Sequence, residues 1–310
     1  MPSVVTITFN PCIDKSTFVE ALLPDKKLRC TSFKNEAGGG GINVAKTINR
    51  LGSNDVLAVY FSGGYTGQLL NSLLHKEGLA SEIIHTDVDT RENIMVVDRA
   101  TNLQYRLIMP GGPFKEMHWR KCLTLIQEIK DYKYLVVSGS MQAGYPKDIF
   151  ELLADTAREK RAKLILDIPG EVIRTYTIRN AYLLKPNLNE LSFFSGKNEL
   201  YGHEIADAAR DIISRNISET VVVSMGAAGA LLVTKDTTEQ FVAPPVKRKS
   251  TVGAGDSMVA GITMYLSAGK DIKEAVRFGV ACGTAATMNE GTQLCNPDDA
   301  EKLYKFMQHA

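Results

Sequence analysis

Short runs of β-branched and other apolar residues recur along the chain with amphipathic stretches between them, and this alternation limits the possible folds more than any other feature. The runs are Val4 to Phe9, Val56 to Phe61, Tyr134 to Ser138, Lys163 to Asp167, Tyr182 to Leu184 and Thr220 to Ser224. Strands this continuously apolar belong in a parallel sheet covered by helices on both faces. Helical spacing appears between them, at Val44, Ile48 and Leu51, at Leu69, Leu70, Leu73 and Leu74 before Gly78, and at Val259, Ile262 and Leu266. Strands alternating with helices imply βαβ units and a doubly wound α/β architecture. No repeat, low-complexity tract or Pro/Gly/Ser-rich linker divides the chain, so residues 1–310 are expected to form one domain.

Two segments break the rhythm. Residues 15–36 and about 88–109 show polar/apolar alternation, as in Asn93-Ile94-Met95-Val96-Val97-Asp98, with no helix between. They predict a small antiparallel sheet inserted in the domain as a lid. A lid with one apolar face needs a cover, and a second copy of the chain is an economical one, so a homodimer is expected.

Charge removes several function classes. Lys plus Arg number 36 and Asp plus Glu 35, a net charge of +1, which gives no electrostatic footprint for nucleic acid or an anionic membrane. The five cysteines are scattered and form no C-x-x-C pair, as expected of reduced thiols in a cytosolic compartment. A basic, then apolar leader and an 18-residue apolar stretch are both missing, so neither export by that route nor a membrane span is expected, and a cytoplasmic location is. The histidines, His75, His85, His118, His203 and His309, form no zinc-ligand set, and Trp119 is expected in packing.

The chemistry is expected in Ser250-Thr251-Val252-Gly253-Ala254-Gly255-Asp256-Ser257, which leads into the helix carrying Val259, Ile262 and Leu266. Gly253, Ala254 and Gly255 turn the backbone tightly at a helix N-terminus and expose N–H groups as an anion hole. Asp256, on the first turn, is placed to accept a proton from a substrate hydroxyl. Alone, such a run is more often an N-cap Asp on a glycine turn. It is accompanied by Glu36-Ala37-Gly38-Gly39-Gly40-Gly41-Ile42-Asn43, four glycines opening a helix, where close backbone approach to a polar ligand is allowed and Asn43 can bridge hydroxyls. Gly40 to Thr47 comes near a P-loop pattern, but Ala45 replaces its second glycine, and Lys46 is expected as a surface lysine.

Three further elements complete the set. In Lys185-Pro186-Asn187-Leu188-Asn189-Glu190, the Asn187 and Glu190 side chains share one face of a turn, suiting either Mg²⁺ or a capping box. Val221 to Ala230 is a strand, a glycine loop and a strand, with Ser224, Gly226 and Gly229 at the bend. Phe278 to Ala286 is a helix of small residues around Gly283, open to a flat ring or to helix packing.

These elements, in this order and spacing, resemble the ribokinase-like PfkB family of carbohydrate kinases across essentially the whole chain. The resemblance implies a three-layer αβα sandwich with a mostly parallel sheet and a β lid. It also implies in-line transfer of the γ-phosphoryl of Mg-ATP to a sugar hydroxyl, with Asp256 as general base. Asn10-Pro11-Cys12-Ile13-Asp14, Lys27-Leu28-Arg29-Cys30, Gln104 to Gly111 and Gly291-Thr292-Gln293-Leu294-Cys295 look like the branch acting on the C1 hydroxyl of fructose 6-phosphate. 1-Phosphofructokinase and tagatose-6-phosphate kinase activities are the alternatives, and a catalytically silent sugar-phosphate-binding regulator is the non-enzyme one. Carried over, Asp14, Gly38, Gly39 and Asn43 hold the sugar, and Lys27, Arg29, Arg91 and Ser140 meet its 6-phosphate. Lys185, Asn187, Ser224, Gly226, Gly229, Thr251 and Gly283 take ATP, with Asn187 and Glu190 near Mg²⁺. Ser250, Val252, Ala286, Asn289 and Gly291 match a monovalent-cation site, K⁺ in kind. Gln293 stands where arginine is seen, and Ser140-Met141-Gln142-Ala143-Gly144 departs from a Ser-Leu-Pro-Pro-Gly pattern.

Overall fold

The computed structural model describes residues 2–309. A nine-stranded sheet runs through its centre, built from β1 (Val4–Thr8), β4 (Val56–Ser62), β5 (Ser81–His85), β8 (Tyr134–Ser138), β9 (Lys163–Asp167), β10 (Ala181–Leu184), β11 (Ser218–Ser224), β12 (Ala230–Val233) and β13 (Thr238–Phe241). Its order is β13-β12-β11-β10-β9-β8-β1-β4-β5. Pairing is parallel from β11 to β5, and the last two strands, β12 and β13, are antiparallel hairpin additions at one edge. The interruption strands β2 (Cys12–Val19), β3 (Phe33–Gly38), β6 (Arg91–Asp98) and β7 (Leu103–Leu107) form a separate four-stranded sheet ordered β3-β2-β6-β7.

Helices cover both faces of the large sheet: α1 (Gly40–Arg50), α2 (Gly64–Lys76), α8 (Ala254–Ser267) and α9 (Ile272–Thr287) on one, with α10 (Pro297–His309) outside α9. On the other lie α3 (Glu116–Glu128), α4 (Ile149–Glu159), α5 (Gly170–Thr175), α6 (Leu188–Ser195) and α7 (His203–Ser214). Period-two geometry explains the double apolar face. In β4, Ala58 and Tyr60 enter the core under α1 and α8, while Val59 and Phe61 enter the opposite core with Trp119 of α3. The result is the three-layer αβα sandwich expected. Among the described residues no helix is long and apolar enough to cross a membrane.

Two expectations fail in detail. The small sheet is mixed rather than antiparallel: β2 pairs with β3, and β6 with β7, antiparallel, but β2 and β6 run parallel, Cys12 opposite Arg91. The cause is connectivity, because the whole β3-α1-β4-α2-β5 stretch intervenes and returns β6 in the same direction as β2. Lys46 is buried, not a surface residue: its ammonium meets Glu77 Oε1 at 2.9 Å and the Ala37 carbonyl at 3.2 Å. It ties the end of α2 to the junction of β3 and α1, which is what keeps a lysine in that core.

Candidate active site

The sheet order reverses between β1 and β8: the chain builds outward through β4 and β5 on one side and through β9, β10 and β11 on the other. A crevice opens at the carboxyl ends of strands where that happens, and α1 begins in it. A Cβ on Gly41 would lie 2.5 Å from the Ile7 carbonyl of β1, and one on Gly40 would lie 2.6 Å from the Gly139 nitrogen just after β8. Gly39 has φ of +122° as the N-cap. The glycine run therefore seats the helix N-terminus against the switch point.

Asp256 reaches the same place from α8, whose N-cap Gly253 is left-handed at φ +73°. The first intrahelical bond runs from the Ser257 N–H to the Gly253 carbonyl at 2.9 Å, so the N–H groups of Ala254, Gly255 and Asp256 point out of the helix end. Asn43 Nδ2 donates to Asp256 Oδ2 at 2.8 Å, joining the two glycine motifs across 213 residues of sequence. Burial pushes the Asp256 carboxyl up to about 7, helped by the Asp167 carboxylate and opposed by the Asn43 hydrogen bond and Lys185.

Asp167, at the end of β9, was not singled out from sequence, yet it organises the floor of the site. Its Oδ1 lies 2.9 Å from Lys185 Nζ, and its Oδ2 accepts from Ser138 Oγ at 3.1 Å. Burial opposes the charge on Lys185, and Asp167, joined by Glu190 and Asp256, more than offsets it, holding the ammonium above its ordinary value. The available signal was a carboxylate ending an otherwise apolar strand.

Beside this pair lies a cavity of about 660 Å³. Lys185, Asn187, Glu190, Ser224, Gly226, Gly229, Thr251 and Gly283 all line it, with Asp167, and its apolar wall comes from Val280 of the small-residue helix and from Ala243-Pro244-Pro245-Val246 and Met258, which the sequence patterns do not mark. Asn187 and Glu190 form a reciprocal capping box: Asn187 Oδ1 accepts from the Glu190 N–H at 2.9 Å, and Glu190 Oε2 from the Asn187 N–H at 2.8 Å. Burial raises the Glu190 pKa against that bond and Lys185. One Glu190 oxygen remains free of the cap. Among the described residues no three His, Cys, Asp or Glu side chains form a self-sufficient metal cage. The free Glu190 oxygen and the Asn187 carboxamide oxygen instead fit Mg²⁺, which keeps waters and phosphate oxygens as most of its ligands.

On the other side of Asp256, the small sheet presents Asp14 and Arg91. Asp14 Oδ1 accepts from Asn93 Nδ2 at 2.9 Å, and a Cβ on Gly38 would collide with Asp14 Oδ2. Arg91 donates through Nη1 to Asn93 Oδ1 at 2.9 Å and the Met109 carbonyl at 3.1 Å, and through Nη2 to the Asn10 carbonyl at 3.2 Å. Asn10 Nδ2 in turn donates to Ser140 Oγ at 3.0 Å. Asp14, Arg91 and Ser140 are thus linked through Asn93 and Asn10, Gly38 packs on the Asp14 carboxylate, Asn43 bonds Asp256, and Gly39 lies against Thr8 and Pro11. Lys27 and Arg29 stand apart: they lie in the exposed segment between β2 and β3, with no ion pair or hydrogen bond to that group among the described residues. Residues 249–252 and 286–291 do meet, since Ser250 Oγ donates to the Gly291 carbonyl at 2.7 Å and the Lys249 N–H to the Thr287 carbonyl at 2.8 Å. The Ala286 carbonyl accepts from the Asn289 N–H at 3.2 Å.

A three-layer sandwich with a nucleotide-sized cavity, a lysine and an anion-hole helix beside a raised carboxyl is the layout of a small-molecule phosphotransferase. The pfkB family carbohydrate kinase profile matches residues 4–299, and the chain belongs to that family. It is 39% identical over 308 residues, 99% of each chain, to the ATP-dependent 6-phosphofructokinase isozyme 2 of Escherichia coli (strain K12). Among solved structures, phosphofructokinase-2 from Escherichia coli in complex with potassium superposes with a TM-score of 0.94 at 39% identity, covering 99% of this chain and 100% of that one. The same enzyme in complex with fructose-6-phosphate gives 0.91 at 37%, with the same coverage. The chain is an ATP-dependent sugar-phosphate kinase.

Proposed function

We propose that the chain transfers the γ-phosphoryl of ATP to the C1 hydroxyl of fructose 6-phosphate, giving fructose 1,6-bisphosphate, with Asp256 as the proton acceptor. The observation that carries this reading is the Asn43–Asp256 hydrogen bond. The carboxylate follows Ala254 and Gly255, which line the 660 Å³ cavity, and feels the charge of Asp14 on the small sheet. A carboxyl pushed up to about 7 is matched to work as a base near neutral pH. Asn43 holds its oxygen, leaving the other free for the substrate hydroxyl. The N–H groups of Ala254 and Gly255 receive the charge on the transferring group. Lys185, kept charged by Asp167, adds a fixed cation beside them. Mg²⁺ bound near Asn187 and Glu190 would neutralise phosphate charge. Ser250, Val252, Ala286, Asn289 and Gly291 are the proposed K⁺ contacts, in keeping with the potassium complex of the Escherichia coli enzyme.

On the sugar side, Asp14 and the Gly38–Gly39 backbone take hydroxyls, and Arg91 with Ser140 takes the 6-phosphate, joined by Lys27 and Arg29 when their segment closes. The small sheet serves as a lid. Its face opposite Asp14 carries Phe33, Leu103, Tyr105 and Leu107, 77, 56, 41 and 51% exposed, in register with Thr17, Asp98, Val96 and Ile94 respectively. An apolar face of this kind is covered by a second copy of the chain.

Asp256→Asn tests the central role. Turnover should fall by at least about 10²-fold while fructose 6-phosphate binding by calorimetry stays within about threefold; turnover within tenfold of the parent would sink the assignment.

A further inference from the structure

Parallel pairing of β2 with β6 puts Asp14 directly opposite Asn93 and Cys12 opposite Arg91, so these four side chains leave the same face of the small sheet. The Asn93 carboxamide is fully engaged there. Its nitrogen donates to Asp14 Oδ1 at 2.9 Å and to Cys12 Sγ at 3.2 Å. Its oxygen accepts from Arg91 Nη1 at 2.9 Å and from the Met109 N–H at 3.3 Å. A carboxamide has two donor and two acceptor positions, and each is taken. No hydrogen bond or ion pair joins Asp14 to Arg91 directly among the described residues, so Asn93 is their link. Arg91 Nε, by contrast, is buried without a partner, an N–H left over for a ligand.

We propose that Asn93 is a positioning residue which fixes the spacing between the carboxylate that holds sugar hydroxyls and the guanidinium that holds the substrate's phosphate. It thereby sets the preference for a phosphorylated ketose over the free ketose. The proposal rests on the reading above that this face takes a sugar phosphate. The chemistry of the position supports it, because only a side chain with a donor at one end and an acceptor at the other can hold a carboxylate and a guanidinium in one register. Aspartate would keep the Arg91 contact but face Asp14 with a like charge, and leucine would hold neither. The device depends on register: a one-residue slip of β6 would turn Arg91 and Asn93 to the opposite face.

The test is Asn93→Ala, assayed with whichever phosphorylated ketose the parent turns over fastest. The sugar-phosphate KM should rise about tenfold or more, with kcat within about threefold and the ATP KM within about twofold of the parent. The ratio of kcat/KM for the phosphorylated over the free ketose should fall about tenfold. In Arg91→Ala/Asn93→Ala the KM rise should stop well short of the product of the single effects, because Asn93 acts in part through Arg91. Asn93→Ser, which keeps one donor and one acceptor, should recover part of the loss and serves in its place if the alanine variant does not fold. An unchanged KM and selectivity, or single effects that multiply to within twofold, would overturn the proposal. A parent that prefers another ketose phosphate overturns only the substrate named above. A parent that turns over no phosphorylated ketose overturns both.

Discussion

Asp256 is costly to the fold in its ionised form. Its carboxyl stands at about 7 against an ordinary 3.8, and at about 1.36 kcal/mol per unit the ionised form destabilises the folded state by up to about 4 kcal/mol. The sign follows from the raised value: the cost is absent below the unfolded pKa, grows as pH rises through the interval, and is full above about 7. Asp256→Asn should therefore be more stable than the parent, by more at pH 8 than at pH 5, as read from urea midpoints; an equal difference at both would contradict that cost. On the proposed role as proton acceptor the same carboxyl must be ionised, so kcat/KM should fall as pH drops below about 7. Asn43→Ala removes a hydrogen bond that favours ionisation and should shift that limb upward. Arg91→Ala should raise the sugar-phosphate KM by about tenfold or more, at roughly 1.5–3 kcal/mol for a charge-assisted hydrogen bond, and leave the ATP KM unchanged. An unmoved sugar KM would remove Arg91 from the phosphate site.

The two helix starts depend on glycine for different reasons, and substitution separates them. A Cβ on Gly38 meets mainly the Asp14 carboxylate, the far end of a flexible side chain, whereas one on Gly40 meets the Gly139 nitrogen and Ser138 backbone. Gly38→Ala should raise the sugar KM while moving the thermal midpoint little. Gly40→Ala should cost stability in the range of about 1–3 kcal/mol, visible in denaturant midpoints before any kinetic effect is isolated. The reverse ranking would contradict the division between a yielding side chain at Gly38 and unyielding backbone at Gly40. Elements with a continuous apolar run or a glycine start were legible in the sequence: β1, β4, β8, β9 and the entries to α1 and α8. The pairing of β2 with β6 was not, because alternation within a strand carries no information about the direction of its neighbour. Asn93 and Asp167 were missed for a related reason, since each acts by contacts made across strands. Lys46 was misread because helical phase gives a side chain's direction, and what covers it, here Glu77 at the end of α2, comes from tertiary packing.

At the scale of the molecule, the switch point between β1 and β8 brings two glycine motifs more than two hundred residues apart onto one carboxylate, near both the 660 Å³ cavity and the small sheet. The bare outer face of that sheet predicts association. The parent should behave as a dimer or larger by light scattering, and Tyr105→Glu or Leu107→Glu should shift it toward monomer with loss of sugar affinity; a parent that stays monomeric at micromolar concentration would contradict the lid interface. On the proposed assignment, the choice among ketose phosphates falls to the Arg91 side of the site. The most direct test is kcat/KM for fructose 6-phosphate, fructose 1-phosphate and tagatose 6-phosphate measured side by side with ATP. Fructose 6-phosphate should lead by about tenfold or more, and a lead for either of the others, or turnover of none, would contradict the assignment.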